Sequence, residues 1–269
     1  MSEGFVDVED GRLWFETAGD GPSIAFLHPG LWDSRTWDDQ FGPFSRTYRV
    51  VRNDARGYGR SSRPQPGMQY SHVDDLFTVL DAVGVDRVAL VGCSMGAATA
   101  IDGALTHPER VSALVVAGSG INGDFDLRAD EEAELERLNG PVEEAIDAGD
   151  LDRAEDARLR IWAALGTDDP AGARIRQIAF DNLHELTMDE SGRSDISPPA
   201  IERLEDIAAP TLVLPADHDP LAYRRVSVTL TERIPNARLV QIPETDHVVN
   251  MRRPAEFNRV VLQFLGEVL

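Results

Sequence analysis

The tightest constraint on how this chain can fold lies between Arg87 and Ile101, where RVALVGCSMGAATAI passes from an apolar stretch through two glycines into a row of small residues. Val88, Ala89, Leu90 and Val91 form a continuous apolar run, the character of a strand buried on both faces, as in a parallel sheet. A helix follows at once. Turning a strand into a helix within about two residues forces the apex residue into a strained backbone, and glycines two positions before and two after give the turn its room. Gly92, Ser94 and Gly96 stand at that spacing. Ser94 is the apex, raised above the edge of the sheet, and the N–H of Met95 faces the same space. A glycine-rich turn with an incidental serine is the plainer alternative, and the strand before and helix after argue against it.

The rest of the chain supplies the sheet that such a turn needs. FVDV and RLWFET, within Phe5 to Thr17, read as a hairpin whose turn contains the pair Asp10-Gly11. Strand-like runs recur at Ser23–Leu27, Tyr48–Arg52, Arg87–Val91 and Val111–Ala117. Between the last three lie helical stretches, one of them opened by the capping pattern Ser71-x-x-Asp74 and closed by Gly84. After Pro210 the pattern resumes with strands at Thr211–Leu214 and Ala237–Ile242 and helices at Leu221–Ile234 and Pro254–Leu269. Alternating strand and helix predicts an α/β fold with a mostly parallel central sheet flanked by helices.

Between about Asn122 and Asp206 strand-like runs vanish and acidic residues crowd in at helical spacing. This predicts a helical cap inserted between two core strands, dividing the chain into core residues 1–121, cap residues 122–206 and core residues 207–269. A cap over the sheet's carboxyl edge would exclude water and shape a pocket. Trp162, Phe180, His184 and Met188 in the insertion, with Leu31 and Trp32 after the third strand, are candidates to line that pocket. Packing is the plainer reading for the insertion residues.

Composition removes several function classes. With 47 acidic against 26 basic side chains the net charge is −21, which repels nucleic-acid phosphates and anionic lipid, so neither is an expected partner. No run of about 18 apolar residues is present, and the N-terminus lacks the basic-then-apolar order of a secretory signal. The lone cysteine, Cys93, cannot form an intrachain disulfide, in keeping with a cytoplasmic protein. One residue before the apex, it reads as a packed core thiol rather than a nucleophile. No Gly-x-Gly-x-x-Gly or Gly-Lys-Ser/Thr pattern supports dinucleotide or nucleoside-triphosphate binding. No independent pair of metal ligands is visible, so neither metal nor cofactor is expected. A small molecule is the expected partner, and a homodimer is left open.

A serine hydroxyl is a poor nucleophile unless a base takes its proton and a third group orients that base. In a strand–turn–helix elbow the acid and then the histidine follow on loops after later strands. Of the six histidines only His247 follows the last strand. Asp217, Asp219 and Asp246 compete for the acid, and Asp219, just before Pro220, is the preferred candidate. The loop His28-Pro29-Gly30-Leu31-Trp32 borders the crevice at the end of the third strand. Gly30 and Met95 are therefore the expected oxyanion donors, with Leu31 as the alternative to Gly30. Arg56, Arg60 and Arg63, in the glycine-rich loop DARGYGRSSRP, could meet a substrate carboxylate, although pairing with nearby acids is the plainer reading.

The segments LHPGLWDSRTWDDQ, DARGYGRSSRP, VGCSMGAATA, PTLVLPADHDP and TDHVVNMRRPAEFNRVVLQFL, in that order and across nearly the whole chain, resemble the α/β-hydrolase superfamily. Length and the single cap resemble its 3-oxoadipate enol-lactonase and small serine esterase branch. The resemblance implies a Ser94–His247–Asp219 triad acting on a carboxylic ester, lactone or thioester. It departs from the family where the common His-Gly after the third strand is His28-Pro29 and where Cys93 stands in place of a frequent histidine. Family members that cleave haloalkanes or epoxides carry an aspartate at the apex, which Ser94 disfavours. The alternatives are hydrolysis of a carbon–carbon bond in a vinylogous diketone by the same residues, and a cofactor-free oxygenase, decarboxylase or ligand receptor on the same scaffold.

Overall fold

A computed structural model describes residues 1–269. Eight strands, β1 (Ser2–Val8), β2 (Gly11–Ala18), β3 (Ser23–Leu27), β4 (Arg49–Asn53), β5 (Val88–Cys93), β6 (Val111–Ala117), β7 (Thr211–Leu214) and β8 (Ala237–Leu239), make one sheet in the order β1-β2-β4-β3-β5-β6-β7-β8. From β4 to β8 all pairs are parallel, while β1 pairs with β2 and β2 with β4 in antiparallel fashion. The first hairpin differs from the sequence expectation by one residue. Val8 pairs with Gly11, so the two-residue turn is Glu9-Asp10. Gly11 is required for space, because a Cβ there would strike the Ser62 side chain.

Alternation along the central strands sorts the core into two layers. Ala25, Leu27, Leu90, Leu114, Val116 and Val213 face the helices α2 (His72–Ala82), α3 (Met95–Thr106) and α7 (Leu221–Arg233). Their neighbours Ile24, Phe26, Val91, Val115, Leu212 and Leu214 face α1 (Asp38–Phe44) and α9 (Pro254–Val268). This two-sided burial is why the strands read as unbroken apolar runs. α2 begins where its capping pattern sets it, with Ser71 Oγ accepting from the N–H of Val73 at 3.2 Å and of Asp74 at 3.4 Å. A short helix, α8 (Val249–Arg252), follows the last loop and carries no periodic signal of its own.

Strand order reverses at β3, which lies between β4 and β5 although β4 follows it in the chain. In open α/β sheets a crevice opens at such a switch point, beyond the carboxyl ends of the strands. The loops that leave β3 and β5 there carry Gly30–Leu31 and Ser94–Met95.

Between β6 and β7 the chain contains no strand. It forms α4 (Ala129–Asp147), α5 (Leu151–Trp162), α6 (Pro170–Asp181) and shorter turns. A third apolar cluster joins Leu159, Ile175 and Ile178 of this segment to Leu31 and Trp32 after β3 and to Val248 and Met251 near α8. Buried Asn182 adds polar ties to two loops. Its Nδ2 donates to Asp33 at 2.9 Å and its Oδ1 accepts from the N–H of Gly59 at 2.8 Å.

Glu155 of α5 is 1% exposed, and its Oε1 has no hydrogen-bond partner. Burial pushes its pKa up to about 7, and the Arg158 guanidinium 3.4 Å away offsets only part of that shift. Because the folded protein then holds this proton more tightly than the unfolded chain, ionising Glu155 destabilises the fold increasingly as pH rises through about 7. Glu155→Gln should therefore match wild type in unfolding free energy at about pH 4 and exceed it at about pH 8, by on the order of 2–3 kcal/mol from urea titrations. An equal gap at both pH values would show that the carboxyl's titration is not the cause.

Candidate active site

Ser94 has φ 52° and ψ −114°, a conformation that non-glycine residues adopt only when the surroundings impose it. Its own N–H donates to the carbonyls of Ala117 and Gly118 at 3.1 and 3.0 Å, which ties the apex to the end of β6. Gly92 and Gly96 are needed for close approach: a Cβ on Gly92 would strike the Gly96 carbonyl, and one on Gly96 would strike Leu27 O at the end of β3. The elbow is thus clamped from three sides while Ser94 and Met95 stay half-buried between fully buried neighbours.

Three acids were candidates on the last loops, and each has a different partner. Both carboxylate oxygens of Asp219 lie at 2.9 and 3.0 Å from His247 Nδ1, with both residues buried. A carboxylate accepting from Nδ1–H leaves Nε2 as the ring's free nitrogen. Asp217 instead accepts from Gln241 Nε2 and from the Glu244 N–H, each at 2.6 Å. Fully buried Asp246 accepts from Arg252 Nε at 2.9 and 3.0 Å and from the N–H of Leu165 at 3.1 Å. The His247 main chain reaches the elbow itself, since Cys93 Sγ donates to His247 O at 3.3 Å. Burial pushes the Cys93 thiol well up, as for an inert core group.

Over the imidazole sit Trp162, with ring centroids 4.5 Å apart, and Tyr223 at 6.0 Å. Tyr223 also borders a cavity of about 230 Å³ that opens at Ser94 and Met95 and runs along α3. The sequence passed over Tyr223, because one tyrosine in an amphipathic helix carries no local signal.

On the loop after β3, Leu31 has φ 69° and is buried, whereas Gly30 is not in the left-handed region. Neither backbone N–H donates to a protein acceptor. As the first residue of α3, Met95 has an N–H without an acceptor in its own helix. The donors on this rim are therefore those of Met95 and of Gly30 or Leu31. His28 braces the loop as a neutral ring, its Nδ1 donating to Pro29 O at 2.8 Å and its Nε2 accepting from the Ala55 N–H at 2.9 Å.

Other candidates from the sequence lie elsewhere. Trp32 is fully buried and donates from Nε1 to Ile175 O at 2.9 Å, wedged between its loop and α6. His184 donates from Nε2 to Gly57 O at 2.8 Å, and neither it nor Trp32, Leu31 or Trp162 lines the cavity along α3. Phe180 packs beside the third apolar cluster under Arg176, and Met188 lies against Gly57. Arg56 pairs with Asp10 and with Asp75 at 2.6 Å, all three buried. Arg60 bonds Asp54 at 3.1 Å. Both arginines thus pair with acids of the core rather than facing a substrate.

The sequence profile of the alpha/beta hydrolase fold family matches residues 25–254, and the chain belongs to that family. It is 29% identical over 275 residues to the 2-hydroxy-6-oxononadienedioate/2-hydroxy-6-oxononatrienedioate hydrolase of Cupriavidus pinatubonensis, covering 97% of this chain and 94% of that protein. Among solved structures it is similar to an N-acyl homoserine lactone degrading enzyme, at 27% identity and TM-score 0.73, covering 97% of this chain and 100% of the other. The enol-lactonase of Burkholderia xenovorans LB400 matches with TM-score 0.75 over 98% of this chain and 100% of that one, and its 23% identity speaks for the fold alone. The protein is a hydrolase of this family, and no helix is long and apolar enough to cross a membrane.

Asp246, the residue before His247, joins the histidine loop to the inserted helical segment. Arg252, itself 4% exposed, bonds both Asp246 and Gly166 O, the latter at 2.7 Å. Asp246→Ala leaves the buried Arg252 guanidinium only the exposed Asp169 carboxylate as a counter-charge, 3.5 Å away, and should lower stability by about 3 kcal/mol. Hydrogen exchange followed by mass spectrometry should show the segment around Leu165 and Gly166 losing protection ahead of β5. Unchanged protection there would mean that another contact docks the segment.

Proposed function

We propose that the protein hydrolyses a carboxylic ester, lactone or thioester of a small molecule through an acyl-enzyme on Ser94. His247 Nε2 takes the Ser94 hydroxyl proton as Oγ attacks the substrate carbonyl, and Asp219 holds the imidazole in the required tautomer. The tetrahedral oxyanion accepts hydrogen bonds from the N–H of Met95 and from that of Gly30 or Leu31. On collapse the carbonyl–heteroatom bond breaks and the leaving alkoxide or thiolate takes the proton from His247. Water, deprotonated by the same ring, then adds to the acyl carbonyl, and Ser94 leaves with its proton restored.

The observation that carries this reading is the combination of a strained Ser94 at the switch point with the buried Asp219–His247 pair. Backbone N–H groups without acceptors beside Ser94 support it further, as does the similarity to a lactone-degrading enzyme at 27% identity. In this reading the helical segment of residues 122–206 acts as a cap, and a small molecule and water are the reactants, within the cytoplasm. A second reading, hydrolysis of a carbon–carbon bond in a vinylogous diketone, is favoured by the 29% identical relative whose name gives a 2-hydroxy-6-oxo dioate as its substrate.

Ser94→Ala should lower kcat/KM for aryl esters by about 10³-fold or more, and a fluorophosphonate probe should label wild type at Ser94. Wild-type turnover in the variant, or an unlabelled Ser94 in folded protein, would overturn the serine mechanism. Turnover of a ring-cleavage diketone far above that of every ester would favour the second reading.

A further inference from the structure

The cavity at Ser94 extends along one face of α3, where Met95, Ala98, Thr99 and Asp102 follow one another at helical spacing. Asp102 is 2% exposed. Its Oδ2 accepts from Asn122 Nδ2 at 2.8 Å, while Oδ1 is buried with no partner. A buried, unpaired carboxylate oxygen is costly unless something else satisfies it. A second group in the lining shares this condition: both ring nitrogens of His72, at the start of α2, are buried without partners. Burial drives His72 down to about 3, so the ring is neutral with one donor and one acceptor, and burial raises Asp102 to about 6.

Charge on the far wall narrows the choice of ligand. Arg193 is the cavity's cation, and it already lies 3.3 Å from Glu190 and 3.6 Å from Asp195. A substrate carboxylate would meet Asp102 and Asp195, with the guanidinium partly neutralised. A substrate ammonium would have to share Asp195 with Arg193, which already lies 3.6 Å from it. An uncharged group that both donates and accepts can satisfy Asp102 Oδ1 and His72 together.

We infer that this cavity is the acyl subsite and that Asp102 determines specificity, selecting acyl arms that end in an uncharged hydrogen-bond donor such as a primary amide or hydroxyl. The seven helical steps from Met95 to Asp102 span about 10 Å, which sets the reach at an arm of about five or six atoms. At about 230 Å³ the space is below that of typical drug-sized ligand pockets, in keeping with a short arm. The inference rests on the ester-hydrolase reading for its chemistry and on Asp102 alone for its selectivity.

The test uses the full chain and matched p-nitrophenyl esters whose acyl arms, of about six atoms, end in methyl, primary amide or carboxylate. Wild type should prefer the amide over the methyl arm by about tenfold or more in kcat/KM and turn over the carboxylate arm least. In Asp102→Leu the amide-to-methyl ratio should fall by about tenfold. Asp102→Asn, which keeps an acceptor and sheds the charge, should retain part of the amide preference, admit the carboxylate arm, and serve if the leucine variant does not fold. An unchanged ratio in both variants, with the esters still hydrolysed, would overturn the subsite and leave the ester reading intact. If no ester is hydrolysed, that reading fails, and binding of hexanediamide against hexanamide by ligand-observed NMR decides the subsite separately. Loss of the diamide preference in the Asp102 variants supports it, and equal binding throughout overturns it.

Discussion

Everything at the candidate site depends on holding one serine in a backbone conformation it would not adopt alone. A φ of 52° with ψ −114° costs of order 1–3 kcal/mol, and the surrounding packing supplies the constraint. Ser94 N–H is tied to the end of β6, Gly120 leaves room for the Ser94 carbonyl that a Cβ there would strike, and Gly92 and Gly96 let α3 lie against β5 and β3 with no side chain between them. Because the sheet edge fixes the start of α3, the Met95 N–H and the Ser94 hydroxyl face the same crevice. The geometry of the chemistry is thus inherited from strand packing.

Polar groups buried near that crevice act as fasteners. Asp219 holds the His247 ring, Asp246 and Arg252 fasten the next stretch of chain to the inserted helices, and Asn182 ties those helices to the loops after β3 and β4. These ties join the sheet, the histidine loop and the insertion into one arrangement. Asp102 differs from all of them because half of its carboxylate is left without a protein partner. Glu155 in α5 shares that condition away from the cavity, and Asp102 is the one of the two that lines it.

Much of the scaffold was legible from residue order. The runs Thr211–Leu214 and Val111–Ala117 appear as strands with those bounds, and α3 spans Met95–Thr106 as the small-residue stretch predicts. Local pattern suffices there because a strand buried on both faces and a glycine-flanked turn leave few alternatives. Signals failed where long-range packing decides. β8 stops at Leu239 rather than Ile242, α8 has too few residues to show a period, and the first turn is Glu9-Asp10 because Val8 pairs with Gly11, where a Cβ would strike Ser62. Asp102 had one readable sign, as the lone charged residue in α3, yet sequence alone could not say whether it was paired.

The sequence by itself determined the layered α/β architecture, the elbow at Ser94 and the loops on which its partners had to be sought, since each follows from periodicity, glycine spacing and chain order. It preferred Asp219 among three aspartates near His247 without being able to show their partners. The tertiary structure places Asp219 on the imidazole, Asp217 on Gln241 and Glu244 of the stretch after β8, and Asp246 on Arg252. It likewise buried Trp32 away from the cavity and opened that cavity toward Asp102 and His72. The physical reason is that hydrogen bonding and cavity shape depend on side chains brought together from distant parts of the chain, where no local pattern records which acid meets which base.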